Sequence, residues 1–233
     1  MILHRPSDFV PKTGRLIATV VPSLLFVCGP AAAESKLEKA AIYLERNQTD
    51  DDIEVRVIAT GNEKGLASLR VTAPDGRTVI DFKSPSSKSG MRTIDLETPE
   101  PPLNDGRIQA DFPEGVYRFE AHEADGDVLG GEATLSHKLP DAATINQPSE
   151  GEEMPLLNGK VRWQEVKDAT YVVIVQEKGK ARDLRVTLPE GKTSISIPPG
   201  FLVAGSKYKV EVGAVWKNGN RTFIEREFVA AAR

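Results

Sequence analysis

The chain has 233 residues, with 30 Lys and Arg against 34 Asp and Glu, a formal net charge of −4 and a single cysteine. A mildly acidic, mixed surface gives no electrostatic reason to hold nucleic acid or an anionic membrane. One cysteine excludes an intrachain disulfide and a Cys-rich zinc site.

Residues 1–33 read as a secretory signal peptide. Arg5, Lys12 and Arg15 make a positive n-region, with Asp8 an unusual intruder, and residues 16–27 are apolar apart from breaks that include Pro22 and Ser23. Ala31-Ala32-Ala33 supplies the small residues that a signal peptidase needs, so cleavage is expected before Glu34. The apolar stretch is short for a bilayer, and nothing later is apolar enough to span one. The mature chain is therefore expected to lack a transmembrane helix and to be periplasmic or secreted. Cys28 lies inside the signal. Leu25 stands three positions upstream of it, but Phe26 and Val27 are bulky where a lipobox wants small residues, which argues against lipid anchoring. Cleavage would leave no cysteine, so stability must come from packed cores.

Residues 35–44 fit a short helix, but Ala41-Ile42-Tyr43-Leu44 equally begins a strand, and the strand is preferred because another strand-like segment follows so soon. From Ile53 the pattern alternates. Ile53, Val55 and Val57 point one way, and Glu54 and Arg56 the other. Leu69 and Val71 lead to a Pro74-Asp75-Gly76-Arg77 turn, and residues 78–82 return as the second arm of that hairpin. Residues 83–90 and 98–106 are polar, Pro- and Ser-rich loops within the domain. In residues 116–123, Tyr117, Phe119 and Ala121 face in, while Arg118, Glu120 and His122 face out. Asp125-Gly126-Asp127 turns the chain into residues 128–135. Short strands at regular spacing with Gly and Pro turns predict a β-sandwich. The pattern stops at residues 138–143, around Pro140, which places a first domain at 34–141 and a second at 142–233.

The second half repeats the architecture. Val161 and Trp163 form an inward pair, and residues 171–175 are the near-continuous apolar run of a central strand. Leu184, Val186 and Leu188 alternate, as do Ile195 and Ile197, and then Tyr208, Val210, Val212 and Ala214. Asn218-Gly219-Asn220 signals a hairpin before residues 223–229. On Pro148, Trp163, Tyr171, Leu202 two residues beyond Gly200, and the run Gly205-Ser206-Lys207-Tyr208-Lys209-Val210-Glu211-Val212, residues 144–230 resemble a fibronectin type III domain. That resemblance implies that Trp163 fills the sandwich core from strand B, that Tyr171 lies on strand C, and that Tyr208 pins the preceding loop from strand F. It implies no activity, because the fold serves many purposes, and no Arg-Gly-Asp tripeptide is present.

The first half is similar to the N-terminal domain of bacterial exported proteins that carry a fibronectin type III module. The matching pieces are Asn47-Gln48-Thr49-Asp50-Asp51-Asp52, Ala73-Pro74-Asp75-Gly76-Arg77, Phe112-Pro113-Glu114-Gly115-Val116-Tyr117 and Ala133-Thr134-Leu135-Ser136-His137-Lys138-Leu139-Pro140. This similarity also brings no activity with it. The expected fold is all-β: two tandem immunoglobulin-like, fibronectin type III-like sandwiches after a signal peptide.

Asp50, Asp51 and Asp52, with Glu54 nearby, are the densest carboxylate group and the candidate metal ligands. Calcium takes six or more oxygens, and adjacent Asp residues on a loop can supply several. Three consecutive Asp equally describe a solvated turn. His122 and His137 lack the spacing of a metalloprotease pair, and no Gly-x-Ser-x-Gly elbow is present. A pair of acids is conceivable as a hydrolytic site, but small sandwiches with short loops seldom form the cleft it needs. Lys178-Gly179-Lys180-Ala181-Arg182 is a basic hairpin tip suited to an acidic partner or to keeping a strand edge soluble. Trp216, in register with Val212 and Ala214, is expected in the core. The function expected is a non-enzymatic exported binding or structural module, without cofactor, acting through loops or edges on a protein or polysaccharide of the cell envelope. A calcium-stabilised adhesion or envelope component is the alternative, and a polysaccharide-active hydrolase the least supported.

Overall fold

The computed structural model describes residues 35–232. The expected signal peptide, residues 1–33, and Cys28 lie outside the described residues. The first half runs β1 (Ser35–Lys36), β2 (Lys39–Asn47), β3 (Asp52–Thr60), β4 (Leu66–Thr72), β5 (Thr78–Lys83), β6 (Thr93–Glu97), α1 (Arg107–Asp111), β7 (Gly115–Glu123) and β8 (Val128–Leu135). The second runs β9 (Ile145–Gln147), β10 (Glu152–Met154), β11 (Lys160–Trp163), β12 (Thr170–Glu177), β13 (Asp183–Leu188), β14 (Ser194–Ser196), β15 (Lys207–Val215) and β16 (Arg221–Ala230). The fold is all-β, and Ala41-Ile42-Tyr43-Leu44 lie within strand β2. Among the described residues no helix is long and apolar enough to cross a membrane.

Alternation builds two cores. In the first half, β1-β8-β7-β4-β5 stack against β2, β3 and β6. Val55, Leu69, Val71, Tyr117, Phe119 and Ala121 close the space between them. In the second half, β14-β11-β9 stack against β13-β12-β15-β16, a fibronectin type III-like arrangement. Trp163, Tyr171, Val173, Val210, Val212 and Phe228 fill its interior. The segment between the halves is not free chain. Leu139 packs on the first core, Ala143 is inside the second, and Pro140 between them is buried.

Two departures from simple alternation matter. Glu54, expected on a wet face, is only 6% exposed: β3 lies between β2 and β6, and Glu54 sits in a groove walled by Glu45, Arg46, Glu100 and Lys209. Strand β6 and the one-turn helix α1 occupy a stretch with only scattered buried positions, Ile94, Pro101 and Ile108. Neither element carries enough periodicity to be read from sequence.

The two sandwiches share a sheet. Arg221, Thr222 and Phe223 of β16 pair in parallel with Glu45, Arg46 and Asn47 of β2. The result is one run, β13-β12-β15-β16-β2-β3-β6, through both halves. The far end of the same β16 edge is covered by β10, with Glu152, Glu153 and Met154 beside Phe228, Val229 and Ala230. An edge left bare would template pairing with another chain; here it is closed at both ends.

Candidate functional site

The join is built from the turn that ends β15. Asn218 Oδ1 accepts the Asn220 amide (3.1 Å), holding the hairpin tight. This aims Asn220 into the first half, where its Oδ1 accepts the Leu44 amide (2.9 Å) and its Nδ2 donates to the carbonyls of Ser136 and Lys138, both at 2.7 Å. Thr222 Oγ1 donates to the Pro140 carbonyl at 2.7 Å. The Arg221 guanidinium lies 4.2 Å from the centre of the Tyr43 ring, a cation–π contact across the halves. Phe223 lies against Gly213 so closely that a Cβ there would stand 2.4 Å from the ring. The β2–β3 hairpin tip docks on β16 in the same way: Asn47 Nδ2 donates to Glu225 Oε1 (3.0 Å), the Gln48 amide to the Phe223 carbonyl (2.8 Å), and the Glu225 amide to Thr49 Oγ1 (2.8 Å).

Beside this seam runs an acidic groove of about 270 Å³, lined by Glu45, Asp50, Asp52, Glu54, Glu100, Glu211 and Glu225, with Lys209 and Arg46 as its basic members. Burial pushes the Glu54 carboxyl up to about 7, and the neighbouring Glu45 charge adds to it. Burial likewise raises Glu45, Asp52 and Glu100; the Asp50 charge assists at Asp52, and the Asp52 charge at Glu100. Burial alone would lower Lys209, but hydrogen bonds to Glu225 and Glu211, each at 2.9 Å, outweigh it and raise the ammonium. Arg56 lies 3.5 Å from Glu54 but is shared with Asp95 (2.9 Å) and Glu97 (2.8 Å), so little of its charge is left for Glu54. A groove of this kind offers counter-charge to a cationic group. Its lining includes no histidine, serine or cysteine.

The candidate metal ligands of the sequence reading sit on the β2–β3 turn. Asp50 and Asp52 line the groove. Asp51, with φ 55°, does not; it is 64% exposed and paired with Arg46 at 3.2 Å. Asp50 accepts from Asn47 Nδ2 at 3.0 Å. The three carboxylates therefore divide between two directions. Among the described residues, the acids whose oxygens converge are Glu123, Asp125 and Asp127, all within 4.8 Å of one another. The sequence reading treated Asp125-Gly126-Asp127 as a turn only. The missed signal was the alternating acid spacing that Glu123 adds to it.

His122 points to solvent, 3.5 Å from Glu120. His137 Nε2 is engaged with the Phe112 carbonyl at 2.8 Å. Trp163 and Tyr171 pack with ring centres 5.4 Å apart. The Tyr208 hydroxyl accepts the Val203 amide (3.0 Å) and donates to the Phe201 carbonyl (3.3 Å), closing a tyrosine corner. At the basic hairpin tip, Lys178 pairs with Glu227, and Arg182 with Glu177 (3.4 Å) and the Phe201 carbonyl (3.1 Å). Trp216 is partly buried against the second core.

No family model matches the sequence, and no curated protein sequence matches it. Among solved structures, the chain is similar to a four-repeat segment from the extending region of a large adhesion protein. Identity there is 12% and the TM-score 0.30, over 83% of this chain and 50% of that one. The chain thus spans half the length of that segment. It is also similar to the FN1–FN3 domains of chicken CNTN1, with 12% identity and a TM-score of 0.32 over 84% of this chain and 64% of that one. A two-domain fibronectin type III segment of chicken tenascin matches at 13% identity and a TM-score of 0.31, over 84% of this chain and 97% of the segment.

Proposed function

We propose that the chain is a non-enzymatic, exported module that works as a rigid binding and structural unit of the cell envelope. The observation that carries this is the sheet running through both sandwiches and latched by Asn220. Tandem domains on a free linker reorient by default. Here the linker is partly buried and hydrogen-bonded, so loops at the two ends are held at fixed separation. The acidic groove beside the seam is where a cationic stretch of a protein partner, or a basic group on a polysaccharide, would sit.

Small-angle scattering of the exported chain tests the rigid-unit reading. A curve matching one compact two-sandwich body is expected, whereas a curve that needs an ensemble of separated domains overturns it. Fractionation of expressing cells, with mass measurement of the mature N-terminus, tests export; a chain retained in the cytoplasm with its first 33 residues intact removes that part of the reading.

A further inference from the structure

We propose that Glu123, Asp125 and Asp127 form a binding site for a divalent cation of calcium's size, with Lys64 as a resident counter-charge that the ion displaces. Strand alternation turns Glu123, the last residue of β7, toward the sandwich interior. Asp125 and Asp127 follow on the turn to β8. Backbone bonds close that turn, from the Glu123 amide to the Asp127 carbonyl (2.8 Å) and from the Gly126 amide to the Glu123 carbonyl (3.0 Å). One oxygen from each carboxylate lies within 4.8 Å of the other two. Calcium binds oxygen at about 2.3–2.6 Å, so two oxygens on one ion stand no more than about 5 Å apart. The three acids already meet that dimension.

Glu123 supplies the second, independent observation. Its side chain is 1% exposed, and its Oε1, buried among the described residues, has no hydrogen-bond partner. A buried carboxylate without a partner is costly. Lys64 Nζ stands 2.7 Å from Asp125 and 2.6 Å from Asp127, but 3.9 Å from the other oxygen of Glu123. The ammonium thus serves the two outer acids and leaves the inner one short. Three carboxylates against one ammonium also leave a net negative charge, which a divalent ion in place of the ammonium would reduce further.

Lys64 is delivered by a pinned turn. Its amide donates to Asn62 Oδ1 (2.8 Å), and the Gly65 carbonyl accepts the Ala124 amide (2.9 Å). Gly65 has φ +77°, and a Cβ there would lie 2.1 Å from the Ser89 carbonyl oxygen, so the turn admits no side chain at that position. The backbone is fixed while the Lys64 side chain is 47% exposed, free to swing to solvent when an ion enters.

The test is calorimetric titration of the metal-stripped full chain with calcium chloride, alongside thermal melts. Binding with a dissociation constant on the order of 10⁻⁴–10⁻³ M is expected, with a melting temperature that rises with calcium. Lys64→Met should bind more tightly, and Glu123→Gln should lose binding while keeping its β-type circular dichroism. If Glu123→Gln does not fold, Asp125→Asn with Asp127→Asn on the exposed turn carries the same expectation. Asp50→Asn with Asp52→Asn should bind as the parent does. Absence of heat and of any melting shift at several millimolar calcium, in both the parent and Lys64→Met, overturns the site. So does binding that survives Glu123→Gln and disappears with Asp50→Asn and Asp52→Asn.

Discussion

The Asn220 side chain accepts a hydrogen bond from the Leu44 backbone amide, 176 residues away, at 2.9 Å. Parallel pairing of β16 with β2 begins only one residue on, at Arg221 and Glu45. The Leu44 amide would otherwise be a buried donor just beyond the last rung of the ladder, a costly state for a backbone group. The amide of the same side chain holds the Ser136 and Lys138 carbonyls, so one residue, 1% exposed, serves three backbone groups of the other sandwich.

Asn220→Ala should lower stability by about 3 kcal/mol, since it strands those groups in a buried seam. Asn220→Asp should be worse than its near-identical shape suggests, because a carboxylate placed against two carbonyls repels both. Denaturant unfolding of both variants measures the loss, and hydrogen exchange at the Leu44 amide localises it. Unchanged protection at Leu44 would mean that the latch is not what holds the join.

The seam also marks where sequence reading stops. Alternation placed Tyr117, Phe119, Ala121, Val210 and Val212 inside, and all are buried; period-two patterning is a local signal that survives in a single chain. Asn218-Gly219-Asn220 was legible as a hairpin, and Asn218 does that local work. The role of Asn220 depends on a strand far away in sequence and leaves no periodic trace. The same holds for Glu54, whose burial comes from neighbours across the shared sheet. It holds too for Glu123, whose inward direction alternation implied but whose convergence with Asp125, Asp127 and Lys64 required the β4–β7 pairing.

Stability should fall as pH rises from about 4.5 to 7. The Glu54 carboxyl titrates at about 7 in the folded protein against an ordinary value of 4.5. Between these values the folded state holds a proton that the unfolded chain has released, so unfolding is favoured as pH climbs, and the effect levels off above 7. Glu45, Asp52 and Glu100 shift in the same direction. Glu54→Gln should therefore match the parent at pH 5, where both side chains are neutral. At pH 8 it should exceed the parent by on the order of 1 kcal/mol. Melting temperature followed against pH for the two proteins reads this out directly; parallel curves would place the Glu54 charge outside the balance of the fold.

Three buried tyrosines should respond differently to loss of the hydroxyl. Tyr208 and Tyr171 each accept a backbone amide, from Val203 (3.0 Å) and Val166 (2.7 Å) respectively, while Tyr117 only donates, to the Pro113 carbonyl (2.9 Å). A carbonyl that loses one donor is more easily satisfied than an amide that loses its acceptor. Tyr208→Phe and Tyr171→Phe should each cost about 1–2 kcal/mol, and Tyr117→Phe about 0.5–1 kcal/mol. Tyr208→Phe should also speed proteolysis within residues 198–206, the loop its hydroxyl holds. Equal losses at all three positions would show that the bond each hydroxyl donates to a carbonyl, rather than the amide it accepts, sets the cost.

Trp163 offers the opposite case, a large core residue whose replacement by another aromatic should be mild. It is 2% exposed, yet its indole Nε1 is buried with no hydrogen-bond partner. Removing an orphaned donor returns part of what the missing ring volume takes away, because an unmet buried N–H costs about 1–3 kcal/mol. Trp163→Phe keeps an aromatic ring against Tyr171 and should cost about 1 kcal/mol, whereas Trp163→Ala, which leaves a cavity at the centre of the second core, should cost about 3–5 kcal/mol. Chemical denaturation of the two variants separates the terms. A loss near 3 kcal/mol for the Phe variant would mean that the indole N–H has a partner in solution, with a buried water the natural choice at a polar atom inside an otherwise apolar core.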